Sequence, residues 1–231
     1  DLRFERVAIV GASGPTGVQL TRELRSRDVL VRAISRDDAK LSQRVQGMEV
    51  EVVPGDARRA DSIGPAVDGC DLVVNAVGLP ADEMAGHVEV AHSLAGLAAR
   101  TGVRLVHISS FWSYFPIQRQ PVDESHPREG GPALARFRRD AEDILQNSGA
   151  AIVQLPDFYG PGVGASTIQR ALEEAVSRGA FHWVGHTDVP RDAIFVPDAM
   201  RVTADLAMRE EAYGERWLVP GAGPITAEHG M

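Results

Sequence analysis

One cysteine in 231 residues excludes an internal disulfide framework. That residue, Cys70, lies in Val67-Asp68-Gly69-Cys70-Asp71-Leu72 with no histidine or basic neighbour to favour a thiolate, so it reads as an inert packing thiol. Basic residues are also outnumbered. The 24 Lys and Arg against 32 Asp and Glu leave a formal charge of −8, which argues against a general binder of phosphate backbones. No apolar run approaches the ~20 residues of a membrane span, and no signal-peptide pattern opens the chain. These absences predict a cytoplasmic protein whose partners include neither nucleic acid nor membrane. Repeats and low-complexity segments are absent as well.

What is present begins with Val7-Ala8-Ile9-Val10-Gly11-Ala12-Ser13-Gly14-Pro15-Thr16-Gly17. An apolar run ends in glycines three positions apart, and Val18-Gln19-Leu20-Thr21-Arg22-Glu23-Leu24 continues as a helix. A glycine-rich fingerprint is informative in this setting of strand, tight turn and helix start. Gly11 takes backbone angles closed to other residues, Gly14 lets a ligand approach the chain, and Gly17 lets the helix pack on the strand. Free N–H groups and the positive end of the helix dipole favour a pyrophosphate there. The turn therefore predicts a dinucleotide site, with Ser13, Pro15 and Thr16 beside the glycines.

Further strands are expected at 29–34, 49–53, 71–78, 104–108 and 151–155, with long helices at about 84–101 and 133–147. Strands alternating with helices imply a parallel, doubly wound α/β sheet of Rossmann type. Arg36 lies 19 positions after Gly17, where an NAD-binding fold places an acid for the ribose 2′-hydroxyl. A guanidinium there suits a 2′-phosphate, with Ser35 as a further donor, which favours NADP over NAD. Asp37 or Asp38 is the alternative ribose contact. Asp56, past the third strand, is placed to accept from an adenine amino group or to cap the next helix. Small residues after Asn75, among them Ala76 and Val77, leave room for the cofactor across the strand ends. His87 and His92 lack further ligands and do not make a metal site.

From Pro156 the texture changes. Gly160-Pro161-Gly162-Val163-Gly164 precedes a helix at about 167–178, and short strands are expected around Phe181–Val184, 193–196 and 217–219. The expected organisation is a dinucleotide-binding core over 1–155 and a small C-terminal substrate-side segment over 156–231, interleaved with the core. The proline-rich loop 115–132 is expected to border the site.

Together these blocks resemble the short-chain dehydrogenase/reductase superfamily, in its extended or atypical branch of NAD(P)-dependent epimerases, dehydratases and reductases. Gly11-Ala12-Ser13-Gly14-Pro15-Thr16-Gly17 looks like that branch's GxxGxxG turn, and Gly55-Asp56 is similar to its adenine-side aspartate. Ser109-Ser110 followed by Tyr114 resembles its serine-bearing fifth strand end. Leu155-Pro156-Asp157-Phe158-Tyr159-Gly160-Pro161-Gly162 is similar to its R-P-x-x-x-Y-G-P-G turn, and Phe195-Val196-Pro197-Asp198-Ala199 to its V-x-D-V/A segment. The resemblance implies a Tyr-x-x-x-Lys pair on the helix after the loop. Alignment on Glu142 puts Leu134 at the tyrosine and Arg138 at the lysine. Leucine transfers no proton. Arg138 retains the capacity to hydrogen-bond a ribose, but a guanidinium stays charged and shuttles no protons.

Ser110 then stands as the hydroxyl for a substrate oxygen, and Tyr114 as the nearest phenol for a substitute acid, with packing as its other reading. Asp157, Tyr159, His126 and His182 are further candidates. Three functions fit: an NADPH-dependent oxidoreductase on a small carbonyl or aromatic substrate, a non-catalytic dinucleotide sensor, and a non-redox isomerase or epimerase. Outward-facing long helices also suggest a homodimer.

Overall fold

The computed structural model describes residues 1–164 and 166–228; the end of the expected 156–231 segment lies outside the described residues. Nine strands and seven α-helices are described: β1 Arg6–Val10, α1 Pro15–Ser26, β2 Leu30–Ser35, α2 Asp38–Arg44, β3 Glu51–Pro54, α3 Ala60–Val67, β4 Leu72–Asn75, α4 Gly86–Thr101, β5 Arg104–Ser110, α5 Ala133–Asn147, β6 Ala151–Leu155, β7 Asp157–Tyr159, α6 Thr167–Arg178, β8 Ala193–Phe195, α7 Val196–Ala207 and β9 Arg216–Leu218. Seven strands form one sheet in the order β3-β2-β1-β4-β5-β6-β9, and β7 and β8 pair separately. Every pairing of named strands is parallel. The doubly wound α/β expectation is met, and the reversal of strand order falls between β1 and β4.

Burial on both faces explains why the strands read as continuous apolar runs. One face carries Val7, Ile9, Val31 and Val153 against Leu20, Leu24, Met200 and Ala204 of α1 and α7. The other carries Ala8, Val10, Val73 and Ile152 against Leu94, Leu97, Ala141 and Leu145 of α4 and α5. The chain beyond residue 155 does not stay apart: β9 extends the main sheet beside β6, and α7 packs on α1. The expected strand at Phe181–Val184 is absent from the described structure. Its alternating aromatics imitate a strand, but Trp183 instead donates its indole N–H to the His186 carbonyl and lies under the Arg191 guanidinium.

The loop 115–132 is bound down at several points. Arg139 of α5 donates to the carbonyls of Ser113, Phe115 and Gly130. His126 Nε2 accepts the N–H groups of Gln118 and Arg119. Glu124 accepts the Leu218 N–H of edge strand β9 at 2.8 Å, which covers a ladder donor that would otherwise face solvent.

Candidate dinucleotide site

The turn after β1 is shaped by contact with β4. Gly11 has φ of 80°, and a Cβ on it would stand 2.7 Å from Val77 Cα; one on Gly17 would stand 2.6 Å from Ala12 Cα. Both positions exclude a side chain on internal grounds. Gly14 is different, because a Cβ there would meet only the Gly11 carbonyl oxygen at 3.5 Å. Its open side belongs to a cleft of about 530 Å³. Gly14 is also the N-cap of α1 and supplies no capping side chain, while Pro15 lacks an N–H. The first-turn N–H groups of Thr16 and Gly17 have no acceptor within the helix.

Every residue expected to hold a cofactor lines this cleft except Gly17, which packs behind the turn, and Arg138. Ser13 and Ser35 meet across it, Oγ to Oγ, at 3.1 Å. Asp37 is committed elsewhere: its carboxylate caps α2 by accepting the Lys40 N–H at 2.8 Å. Asp56 lines the cleft but does not cap α3, whose N-cap is Arg59; its Oδ1 accepts the Arg58 N–H at 3.0 Å within the preceding turn.

Among the lining residues missed from sequence are two cations of α2. Lys40, the chain's single lysine, and Arg44 stand on one face of α2 at an i, i+4 interval and reach the cleft beside Arg36. None of these three cations has a side-chain hydrogen bond or ion pair among the described residues, whereas nearby Arg58 is paired with Glu83. Their signal was the Asp37 cap, which fixes the helix and hence the face. On the far wall, Phe158 and Gly162 complete the cleft, and a Cβ on Gly162 would lie 3.6 Å from Arg44 Nη1.

Below the opposite end, at the C-terminal ends of β4 and β5, sits a buried polar group. The Val77 N–H donates to Asn75 Oδ1, so Asn75 Nδ2 donates to His107 Nδ1 at 3.0 Å. Burial pulls the His107 imidazole down to about 3 and His87 down to about 4, with the Arg138 guanidinium adding to both. Both rings are therefore neutral at physiological pH. His87 Nε2 and Arg138 Nε are buried without a hydrogen-bond partner. Among the described residues Arg138 makes no ion pair; burial lowers its pKa, and Glu142, whose charge acts the other way, is engaged elsewhere.

Tyr114 is the principal correction. It is fully buried, its phenol donates to Gln154 Oε1 at 2.6 Å, and burial pushes its pKa up to about 12. Gln154 passes the network on, donating to Ser113 Oγ at 3.0 Å and Glu142 Oε2 at 2.9 Å. Glu142 also accepts from Ser109 Oγ at 2.5 Å and from Arg128 at 2.7 Å. The Tyr114 proton is thus held inside the protein, which makes the residue part of the packing and not an acid for substrate. Ser110 is partly exposed; its Oγ accepts the Trp112 N–H at 3.4 Å, and its own hydrogen is uncommitted. Phe111, Trp112 and Phe115 cluster just beyond it, with Trp112 stacked on Phe115 at 4.5 Å. His126 is spent on its loop and His182 pairs with Glu174 on the surface. Asp157 is half-buried and has no side-chain hydrogen bond among the described residues.

A second depression of about 690 Å³ lies at the other end of the strands, lined by Leu2, Cys70 and Arg104 among others. Burial raises the Cys70 thiol pKa, in keeping with an unreactive role. Among the described residues no cluster of His, Cys, Asp and Glu is arranged to hold a metal ion, and no helix is long and apolar enough to cross a membrane.

A glycine turn at a switch in strand order, open helix N–H groups and a cleft along the strand ends define a dinucleotide-binding protein of Rossmann class. A family profile described as NAD(P)H-binding matches residues 11–155, and the chain belongs to that family. Its fold is that of the extended short-chain dehydrogenase/reductase branch that its motifs resemble. It is similar to dTDP-glucose 4,6-dehydratase (rfbB) from Bacillus anthracis in complex with NAD, at 14% identity and a TM-score of 0.84, over 96% of this chain and 77% of that one. Epimerase Mth375 from Methanothermobacter thermautotrophicus gives 18% identity and a TM-score of 0.85, over 96% and 74%. Bordetella bronchiseptica WbmH in complex with NAD+ gives 21% and 0.81, over 97% and 78%. No curated protein matches the chain in sequence.

Proposed function

We propose that the chain is an NADP-dependent oxidoreductase acting on a small organic substrate, carbonyl or aromatic. The observation that carries the cofactor choice is the cationic rim of Arg36, Lys40 and Arg44, unpaired beside Ser35 at the cleft. Ten of the other arginines are matched with carboxylates, for example Arg32 with Glu51 and Arg104 with Glu210, and what sets the rim apart is three unpaired cations lining one cleft. A ribose 2′-phosphate supplies the missing negative charge and the acceptors for planar guanidinium groups.

The first-turn N–H groups of α1 hold the pyrophosphate, and Asp56 the adenine edge. Arg138 holds the nicotinamide ribose and Ser110 orients the substrate oxygen through its free hydrogen. When bound, the dinucleotide supplies or accepts a hydride. The aromatic cluster 111–115 offers flat apolar surface to a substrate. A homodimer, without nucleic-acid or membrane partners, is the assembly proposed.

The test is wild-type chain with NADPH or NADH, followed by fluorescence titration and then by turnover of a panel of aldehydes, ketones and quinones. Tighter NADPH binding with turnover of any member supports the reading. The second reading, a non-catalytic NADP sensor, is favoured by Leu134 at the tyrosine position and by the sealed Tyr114. Tight NADPH binding with no turnover selects it. The names of the structural neighbours favour an epimerase or dehydratase, which would show substrate conversion without net consumption of the cofactor.

A further inference from the structure

The oxidoreductase reading leaves a proton unaccounted for. Reduction of a carbonyl needs one proton at oxygen for each hydride at carbon, and the position of the usual phenol is held by Leu134. The acids near the strand ends can be taken in turn. His87 and His107 are neutral and buried. Tyr114 and Glu142 are enclosed in the network around Gln154. His126 spends Nε2 on two backbone N–H groups and Nδ1 on the Pro127 carbonyl. Asp56 lies among the adenosine-end residues and binds its own turn. One half-buried carboxyl near these strand ends, Asp157, remains with no hydrogen-bond partner among the described residues.

Resting on the oxidoreductase reading, we propose that Asp157 is the catalytic acid, delivering its carboxyl proton to the substrate oxygen that Ser110 orients. The register of β5 and β6 sets Ser110 beside Leu155, two residues before Asp157. Asp157 therefore follows the C-terminal end of β6, at the same edge of the sheet as the Ser110 end of β5. The next residue, Phe158, lines the dinucleotide cleft. Pairing of β7 with β8, Asp157 beside Ala193, fixes its backbone.

Its surroundings suit the task. Burial raises its pKa, and the Arg191 guanidinium acts in the opposite direction without forming an ion pair. Of the other ionisable groups on or beside the paired strands, Asp192 is tied to the N–H groups of Ala193 and Gly221, and the Tyr159 ring packs at a tilt near Phe195. A raised carboxyl pKa moves toward the range that favours general acid catalysis. The balance is closed: the substrate carbon gains the hydride, its oxygen gains the Asp157 proton, the dinucleotide leaves oxidised, and water reprotonates the carboxylate.

The experiment combines ¹³C NMR titration of aspartate-labelled ligand-free chain with the pH dependence of kcat/KM for NADPH and 9,10-phenanthrenequinone, a broad quinone probe. Wild type, Asp157→Asn and Tyr159→Phe are compared, and NADPH binding is measured for each. The expected result is an Asp157 carboxyl titrating above the ordinary aspartate range of about 3.9. Asp157→Asn then loses about 10²–10³-fold in kcat/KM together with the alkaline limb of the profile, with NADPH affinity within about twofold. A carboxyl titrating at or below that range overturns the proposal, as does an unchanged profile in Asp157→Asn or a profile that moves with Tyr159→Phe instead. If wild type binds NADPH but leaves the quinone untouched, the comparison is made on whichever member of the carbonyl panel is turned over, and turnover of none overturns the proposal together with the oxidoreductase reading. Failure to bind either dinucleotide defeats the oxidoreductase reading itself, which the binding arm reports separately.

Discussion

Replacing Arg36 with alanine isolates the charge that distinguishes the two dinucleotides. Arg36, Lys40 and Arg44 are all exposed and none is engaged with protein, so removing one breaks no internal contact and leaves folding intact. A hydrogen bond to a charged partner contributes about 1.5–3 kcal/mol when shielded, and solvent exposure reduces this to about 1–1.5 kcal/mol. That is roughly tenfold in Kd for NADPH, and NADH should change by less than about twofold because it lacks the phosphate. Arg44→Ala should behave alike, and the double variant should lose close to a hundredfold if the two guanidinium groups act independently. Raising salt from 0.05 to 0.5 M should shrink the NADPH preference in wild type far more than in the double variant, since exposed pairs are screened beyond a Debye length of about 10 Å at 0.1 M. Titration of cofactor fluorescence measures every arm. Equal wild-type affinities for NADPH and NADH, both indifferent to Arg36→Ala, would refute the reasoning and return the ribose contact to an acid such as Asp38.

Three further outcomes follow from the packing. Gly14→Ala should keep the wild-type Tm within about 2 °C, since its Cβ has room, yet weaken dinucleotide binding at least tenfold; Gly11→Ala should lower Tm markedly because of the 2.7 Å approach to Val77. Glu142→Ala removes the partner of Arg128, Ser109 and Gln154 at once and should cost about 3–5 kcal/mol in urea unfolding, with proteolysis appearing first in 115–132. Glu142→Gln, which keeps acceptor and volume, should cost less. His87 and His107 have folded pKa values near 4 and 3, below the ordinary 6.5, so the unfolded chain binds more protons between those limits. Stability is therefore full above about pH 6.5 and falls by several kcal/mol as pH drops toward 4. His87→Gln should flatten that slope, read from urea midpoints at pH 7 and 5.

The dinucleotide turn was legible because its constraints are local: Gly11 and Gly17 are fixed by contacts within one strand-turn-helix unit and the strand beside it. The bounds of α5 were legible for the same reason, since Ala135, Arg139, Glu142 and Leu145 repeat on one buried face. Tyr114 was misjudged as an acid because its role depends on Gln154, 40 residues away in sequence. Lys40 and Arg44 belong to no motif in the sequence, and only the folded arrangement brings their face of α2 to the cleft that Ser35 lines. At Phe181–Val184 the alternation of aromatic and polar residues matched a strand that has no neighbour to pair with.

With one lysine in the chain, standing at the rim of the cleft, primary-amine chemistry has two addresses: the amino terminus and Lys40. Immobilising the protein on an amine-coupling surface would tether a fraction of molecules by the mouth of their own binding site, and the apparent capacity for dinucleotide would fall with coupling density. Conversely, a small environment-sensitive dye on Lys40 becomes a built-in reporter whose emission follows occupancy, without any engineered cysteine.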